Sequence, residues 1–185
     1  MGLFEALQRL SNLKRAGWLL SKVPADLAED VADHTLKVAL IAMEMASRAS
    51  KRGIEVDVEK VLKMALIHDL AEAYFSDIPK PAEERMDRMV LREIQIRGLK
   101  MATEELVVQE DLLRVFEEYL MMDSREAVIV KLADVLSTYL QARSYQVEHG
   151  IRTKHLDEIA RNCEEEIPRI LKMAGLTEED LRGFK

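Results

Sequence analysis

His34, the adjacent pair His68-Asp69, and Asp134 are the residues of this sequence whose types and spacing could do chemistry. Two imidazoles and two carboxylates make a mixed nitrogen and oxygen donor set, suited to a borderline-hard divalent cation. The middle pair sits in Leu66-Ile67-His68-Asp69-Leu70-Ala71-Glu72, flanked by apolar residues, with Glu72 one helical turn beyond His68. Ionisable groups on an apolar stretch are expensive unless they pair or bind an ion. A lone His34 would read as a core histidine, and His68-Asp69 alone as a self-satisfied pair. Taken together with Asp134, the pattern favours a metal site.

The segments that must position these groups read as helices. Asp30 to Lys51 places Val31, His34, Val38, Ile41, Met45 and Ala49 on one face, and Gly53 behind Lys51-Arg52 ends it. Val58 to Glu72 reads as one helix, with Val61, Ala65, His68 and Glu72 facing inward. Tyr74 to Pro81 breaks the period, and Pro81 suits the first turn of another helix. Further helices are expected over about 81–102, 109–122, 125–148 and 153–174. Leu176 to Asp180 adds a capped terminal turn. No strand or internal repeat shows. The expectation is an all-α helical bundle forming a single domain over 1–185, with a motif-bearing core at about 10–150 and C-terminal helices at about 151–185.

Composition sets the boundaries. A chain of 185 residues that is 48% hydrophobic can bury one substantial core. Its net charge of −7 weighs against a general partner in nucleic acid or an anionic membrane. One cysteine, Cys163, cannot form an intrachain disulfide, which fits a reducing cytoplasm. No apolar run suggests a signal peptide or membrane span. The glycines are isolated, with neither a P-loop nor G-x-G-x-x-G, so any phosphate must be held by side chains, helix N-termini or a metal. There is no C-x-x-C pair and no G-x-S-x-G elbow.

Four pieces occur in order: Arg15-Ala16-Gly17-Trp18, Val31-Ala32-Asp33-His34, His68-Asp69-Leu70-Ala71-Glu72 with Asp77-Ile78-Pro79, and Lys131-Leu132-Ala133-Asp134. In this the chain resembles the HD-domain metal-dependent phosphohydrolases, and among them the small 5'-deoxynucleotidases. The resemblance implies an HD-type bundle with one divalent ion on His34, His68, Asp69 and Asp134, for which Mn, Co, Zn, Ni and Fe are all admissible. Such an ion acidifies water, from ~15.7 towards ~7 in the most favourable zinc cases, and neutralises charge on phosphoryl oxygens. Glu72 would take the proton of the attacking water, with Asp69 beside it in the catalytic set. Arg15 would offer a forked donor to phosphate, and Trp18 would meet the sugar, base or phosphate. Asp77, with Ile78 and Pro79, would form the sugar-contacting loop, with Lys80 and Lys131 as local cations. The implied substrate is a small nucleoside 5'-monophosphate, the products are a deoxynucleoside and phosphate, and the implied assembly is a homodimer.

Plainer readings stand beside these. Asp77 before Ile-Pro can simply start a turn, and Lys131 can serve as counter-ion to Asp134. His149 and His155 read as surface, the methionines as packing, and Glu164-Glu165-Glu166 as a solvated face. Ser76 stands where the family more usually has glycine. Two alternatives remain open. One is another HD phosphohydrolase, acting on nucleoside triphosphates, cyclic nucleotides or guanosine polyphosphates. The other is a helical interaction module with a structural metal.

Overall fold

Four helices that build the site begin where a short polar side chain can satisfy a free amide of the first turn. Asp30 accepts the Asp33 N–H at 2.9 Å and opens the helix Val31–Lys51; Asp57 accepts that of Lys60 at 3.0 Å and opens Val58–Ile67. Ser124 and Thr153 do the same for Arg125–Val147 and Lys154–Ala174, each at 3.2 Å. The computed structural model describes residues 2–184, and among these it is helical without strands. In chain order the helices are α1 (Leu3–Leu10), α2 (Ala16–Leu20), α3 (Val31–Lys51), α4 (Val58–Ile67), α5 (Glu72–Phe75) and α6 (Lys80–Glu83). They continue as α7 (Arg88–Ala102), α8 (Gln109–Met121), α9 (Arg125–Val147), α10 (Lys154–Ala174) and a closing 3₁₀ turn over Glu178–Leu181.

α9 is the axis of the bundle. Ala127, Ile129, Val130, Leu132 and Ala133 are all buried, so its middle is apolar almost all round, as a helix enclosed by others must be. It packs against α10, α3, α4 and α8, and α3 also packs on α4. Met45, Met64, Ile129 and Leu132, one or more from each of α3, α4 and α9, are fully buried in one cluster. Each such side chain contributes roughly 1.5–3 kcal/mol. The helices that carry His34, lead to His68 and carry Asp134 are therefore mutual neighbours fixed by apolar packing.

The structure departs from the sequence expectations in three places. The helix expected over Val58 to Glu72 stops at Ile67, and residues 68–71 form tight turns, with Leu70 N–H on Ile67 O and Glu72 N–H on Asp69 O, before α5 starts. The helix expected over 81–102 is two helices. Pro81 does sit in a first turn, that of α6, but Asp87 accepts the N–H groups of Met89 and Val90 and starts α7 afresh. The sequence delimits no helix before Asp30, where the structure has α1 and α2. The capped turn at the C-terminus is present as a reciprocal Thr177–Asp180 capping box.

Candidate metal centre

Consecutive residues of an α-helix point about 100° apart, so the backbone alone does not bring His68 and Asp69 together. Their side chains do, and in the turn that follows Ile67 His68 Nε2 lies 3.1 Å from Asp69 Oδ2. From α3, the fully buried His34 brings Nε2 to 3.1 Å from Asp134 Oδ1 on α9 and 3.7 Å from Asp69 Oδ2. Ligand atoms of His34, His68 and Asp134 all lie within 4.8 Å of one another.

The donor chemistry fits a cation. His68 Nδ1 donates to the Ala65 carbonyl at 2.7 Å, since a carbonyl can only accept. Burial opposes a charge on this ring, but Asp69 and Asp134 outweigh it and raise the His68 pKa, so Nε2 offers a lone pair only in the neutral form; that buried nitrogen, 3.1 Å from Asp69 Oδ2, makes no well-aligned hydrogen bond. Such orphans are costly unless a ligand meets them. Burial would raise the Asp69 pKa, but His68, then His34 and Arg15, more than offset it and hold it at about 2. Burial is likewise overcome at Asp134, where Lys131 and His34 keep the carboxyl well below its ordinary range. Both carboxylates are thus ionised and able to serve as ligands.

Glu72 is the opposite case. Burial first, then the charges of Asp69 and Asp77, push its carboxyl well above the ordinary glutamate value, and its Oε2 is buried without a hydrogen-bond partner. A carboxylate held this way beside a cation site is suited to taking up a proton.

The Arg15 segment reaches the site through the backbone. Arg15 N–H donates to Glu29 O at 3.0 Å and Val31 N–H to Leu13 O at 3.0 Å, pinning this strand-like stretch to the start of α3. The guanidinium donates to His34 Nδ1 at 2.9 Å and to Thr138 Oγ1 at 3.3 Å. Burial opposes its charge, but Asp69, Asp134, Asp77 and Glu29 outweigh that and hold the proton more firmly than usual.

Trp18 differs from the expected substrate contact. It is only 2% exposed, its ring packs edge-on against Tyr145 at 5.3 Å, and its indole N–H is given to Glu29 Oε2 at 3.0 Å. It supports the arm from beneath. Asp77 accepts the backbone N–H of Ala16, which joins the Tyr74–Pro81 loop to the arm. Ile78 and Pro79 follow it, half-buried. Of the two other cations, Lys131 donates to Asp134 Oδ2 at 2.9 Å, and the exposed Lys80 pairs with Glu166 on α10 at 3.3 Å. Glu29 and Thr138 were missed in the sequence. Thr138 is one turn beyond Asp134 and could have been found by that spacing; Glu29 follows no spacing rule.

The sequence matches the family described as HD domain over residues 7–171. This chain belongs to the HD-domain family. The HD-domain chain is 29% identical over 160 residues to "5'-deoxynucleotidase HDDC2" of Dictyostelium discoideum, covering 82% of this chain and 80% of that protein. It is 30% identical over 145 residues to "5'-deoxynucleotidase YfbR" of Shigella boydii, covering 75% and 69%. A solved structure of a conserved hypothetical protein from Pyrococcus furiosus matches with a TM-score of 0.74 at 35% identity, covering 97% of this chain and 98% of that one. This HD-domain protein is a divalent-metal-dependent phosphohydrolase, with His34, His68 and Asp134 positioned to bind the ion. Among the described residues no helix is long and apolar enough to cross a membrane.

Proposed function

We propose that this protein hydrolyses deoxynucleoside 5'-monophosphates to deoxynucleosides and inorganic phosphate. The observation that carries the reading is the convergence of His34, His68 and Asp134, with Asp69 Oδ2 3.1 Å from His68 and 3.7 Å from His34, beside two groups a structural site would not need. These are the buried, unpartnered carboxylate oxygen of Glu72 and the Arg15 guanidinium. The names of the related 5'-deoxynucleotidases support the substrate class.

In this reading His34, His68, Asp69 and Asp134 hold one divalent ion. Such an ion, when bound, supplies Lewis acidity and makes nearby water more acidic. Glu72 takes the proton of the attacking water and can return it to the departing 5'-oxygen. Arg15 holds phosphate oxygens with its planar fork, and Trp18 keeps that arm in place. Asp77 contacts the sugar, with Ile78 and Pro79 shaping the loop. Lys131 steadies Asp134, while Lys80 holds α6 to α10 through Glu166.

The proposal extends to one domain over the whole chain, a cytoplasmic setting, and no role in nucleic-acid binding. It also includes a homodimer, which the exposed stripe of Leu36, Leu40 and Met43 on α3 supports. Phosphate release by purified protein with added metal, measured against a nucleotide panel, tests the reading. Deoxynucleoside monophosphates should be turned over fastest. Preference for triphosphates, cyclic nucleotides or guanosine polyphosphates would redirect the assignment within the family, and no turnover of any nucleotide would refute it.

A further inference from the structure

Glu29 belongs to none of the motifs that led to this site, yet its buried carboxylate meets three parts of it. Oε2 accepts the Trp18 indole N–H at 3.0 Å, Oε1 accepts from Lys37 Nζ at 2.7 Å, and Oε2 lies 3.9 Å from His34 Nδ1 and 4.0 Å from the Arg15 guanidinium. Its backbone is fixed as well, donating to the Tyr145 hydroxyl at 2.8 Å and accepting from Arg15 N–H at 3.0 Å.

The two histidines are set differently. His68 Nδ1 donates to Ala65 O, so in the neutral ring the lone pair lies on Nε2. His34 faces a guanidinium, which has donors only, so its Nδ1 must accept. The hydrogen of the neutral ring then sits on Nε2, where it is given to Asp134 Oδ1 at 3.1 Å. In that tautomer Nε2, the nitrogen facing Asp69 and Asp134, cannot bind a cation. Offering it requires the hydrogen on Nδ1 and an acceptor there. Arg15 cannot accept, and Thr138 Oγ1 is an uncharged hydroxyl that meets Arg15 rather than the ring. Glu29 Oε2 is the anionic acceptor within reach.

We propose that Glu29 is a positioning residue that sets His34 in its metal-binding tautomer. It accepts the Nδ1 hydrogen as Arg15 leaves that nitrogen, so that metal uptake also frees the guanidinium to face a phosphate. One hydrogen departs from Nε2 and one arrives at Nδ1 through solvent, so the ring's charge is unchanged. Carboxylate partners of ligating imidazoles commonly fix the tautomer in this way. The proposal rests on the reading of His34 as a metal ligand. It makes the metal and phosphate sites reciprocal, each ligand favouring the other.

Zinc is diamagnetic, so imidazole ¹⁵N spectra of the full chain can follow both histidines through a zinc titration, while chelator competition gives the affinity. His34 should change from the Nε2–H to the Nδ1–H form with one equivalent of zinc, while His68 stays Nδ1–H throughout. Glu29→Gln should lower zinc affinity about 10- to 100-fold, and Arg15→Met should raise it. Lys37→Met removes another partner of Glu29 without touching His34 and should leave affinity within a few-fold. An equal loss in Lys37→Met would make Glu29 a merely structural anchor and overturn the proposal. So would a Glu29→Gln variant that binds zinc as tightly as the parent, or a His34 ring that keeps Nε2–H with zinc bound. If Glu29→Gln does not fold, the tautomer change in the parent still decides. A parent that takes up no zinc overturns the metal reading itself.

Discussion

The carboxylate of Asp77 accepts the backbone N–H of Ala16, 61 residues away in sequence, so the Tyr74–Pro81 loop and the Arg15 segment are one structural unit. That bond uses Oδ2 and leaves Oδ1 as an acceptor for a sugar hydroxyl. Asp77→Ala should therefore loosen both the loop and the Arg15 arm. We expect kcat/KM for dAMP to fall roughly 10- to 100-fold, the usual worth of a hydrogen bond to a charged group, and the preference for dAMP over AMP to shrink with it. Equal kcat/KM for dAMP and AMP in the unmodified protein would refute sugar selection at Asp77 and leave the phosphatase reading standing.

Glu72 separates chemistry from binding. Glu72→Ala should retain the metal and the fold yet lose about 10²–10⁴ in turnover. A loss of less than a few-fold would make Glu72 structural. Its pKa also gives a stability signature in metal-stripped protein. The folded value is raised above the ordinary 4.5, so the native state holds the proton more tightly than the unfolded chain. Stability attributable to this group must then fall as pH rises from about 4.5 through the raised value. Glu72→Gln abolishes that fall. It should melt higher than the parent at pH 8 and close to it at pH 4; the reverse order would contradict the burial argument.

Gly98 is where α7 crosses the turn that carries the site. A Cβ there would lie 2.9 Å from the Ala71 carbonyl oxygen and 3.0 Å from the Ala71 Cβ, in the residue directly before Glu72. In an exposed helix, Gly→Ala gains up to about 1 kcal/mol. Here the clash should win, costing about 1–3 kcal/mol and lowering turnover as the turn shifts. Chemical denaturation of Gly98→Ala reads the sign directly, and a stabilised variant would show that the two backbones can part freely.

Ser76 holds φ 75° and ψ 163°, a region that only glycine occupies without strain. Ser76→Gly should stabilise the protein by about 1 kcal/mol, since relief of strain of ~1–3 kcal/mol exceeds the added entropy cost. A lower melting temperature would mean that the serine hydroxyl repays the strain.

Much of this was legible in the sequence. His34 lies on the apolar face of α3 at helical spacing, and the caps Asp30, Asp57, Ser124 and Thr153 are residue types that mark helix starts. The break after Ile67 was hidden because Val61, Ala65, His68 and Glu72 continue a perfect helical stripe, and the tighter turns at residues 68–71 leave that stripe intact. Asp87 was readable as a cap, but the charged run around it masked the boundary. Glu29 left no trace, because its partners Trp18, Lys37 and Tyr145 come from three segments that only the tertiary fold brings together. The same holds for Lys80, whose partner Glu166 looked like part of a solvated acidic face.

The central claim is that His34, His68, Asp69 and Asp134 hold one divalent ion that the activity requires. Elemental analysis of purified parent, His68→Ala and Asp134→Ala proteins tests it most directly. The parent should carry about one ion per chain, and each variant should lose both ion and phosphate release, because the remaining ligands cannot offset desolvation of the cation. Full metal occupancy in both variants would contradict the assignment.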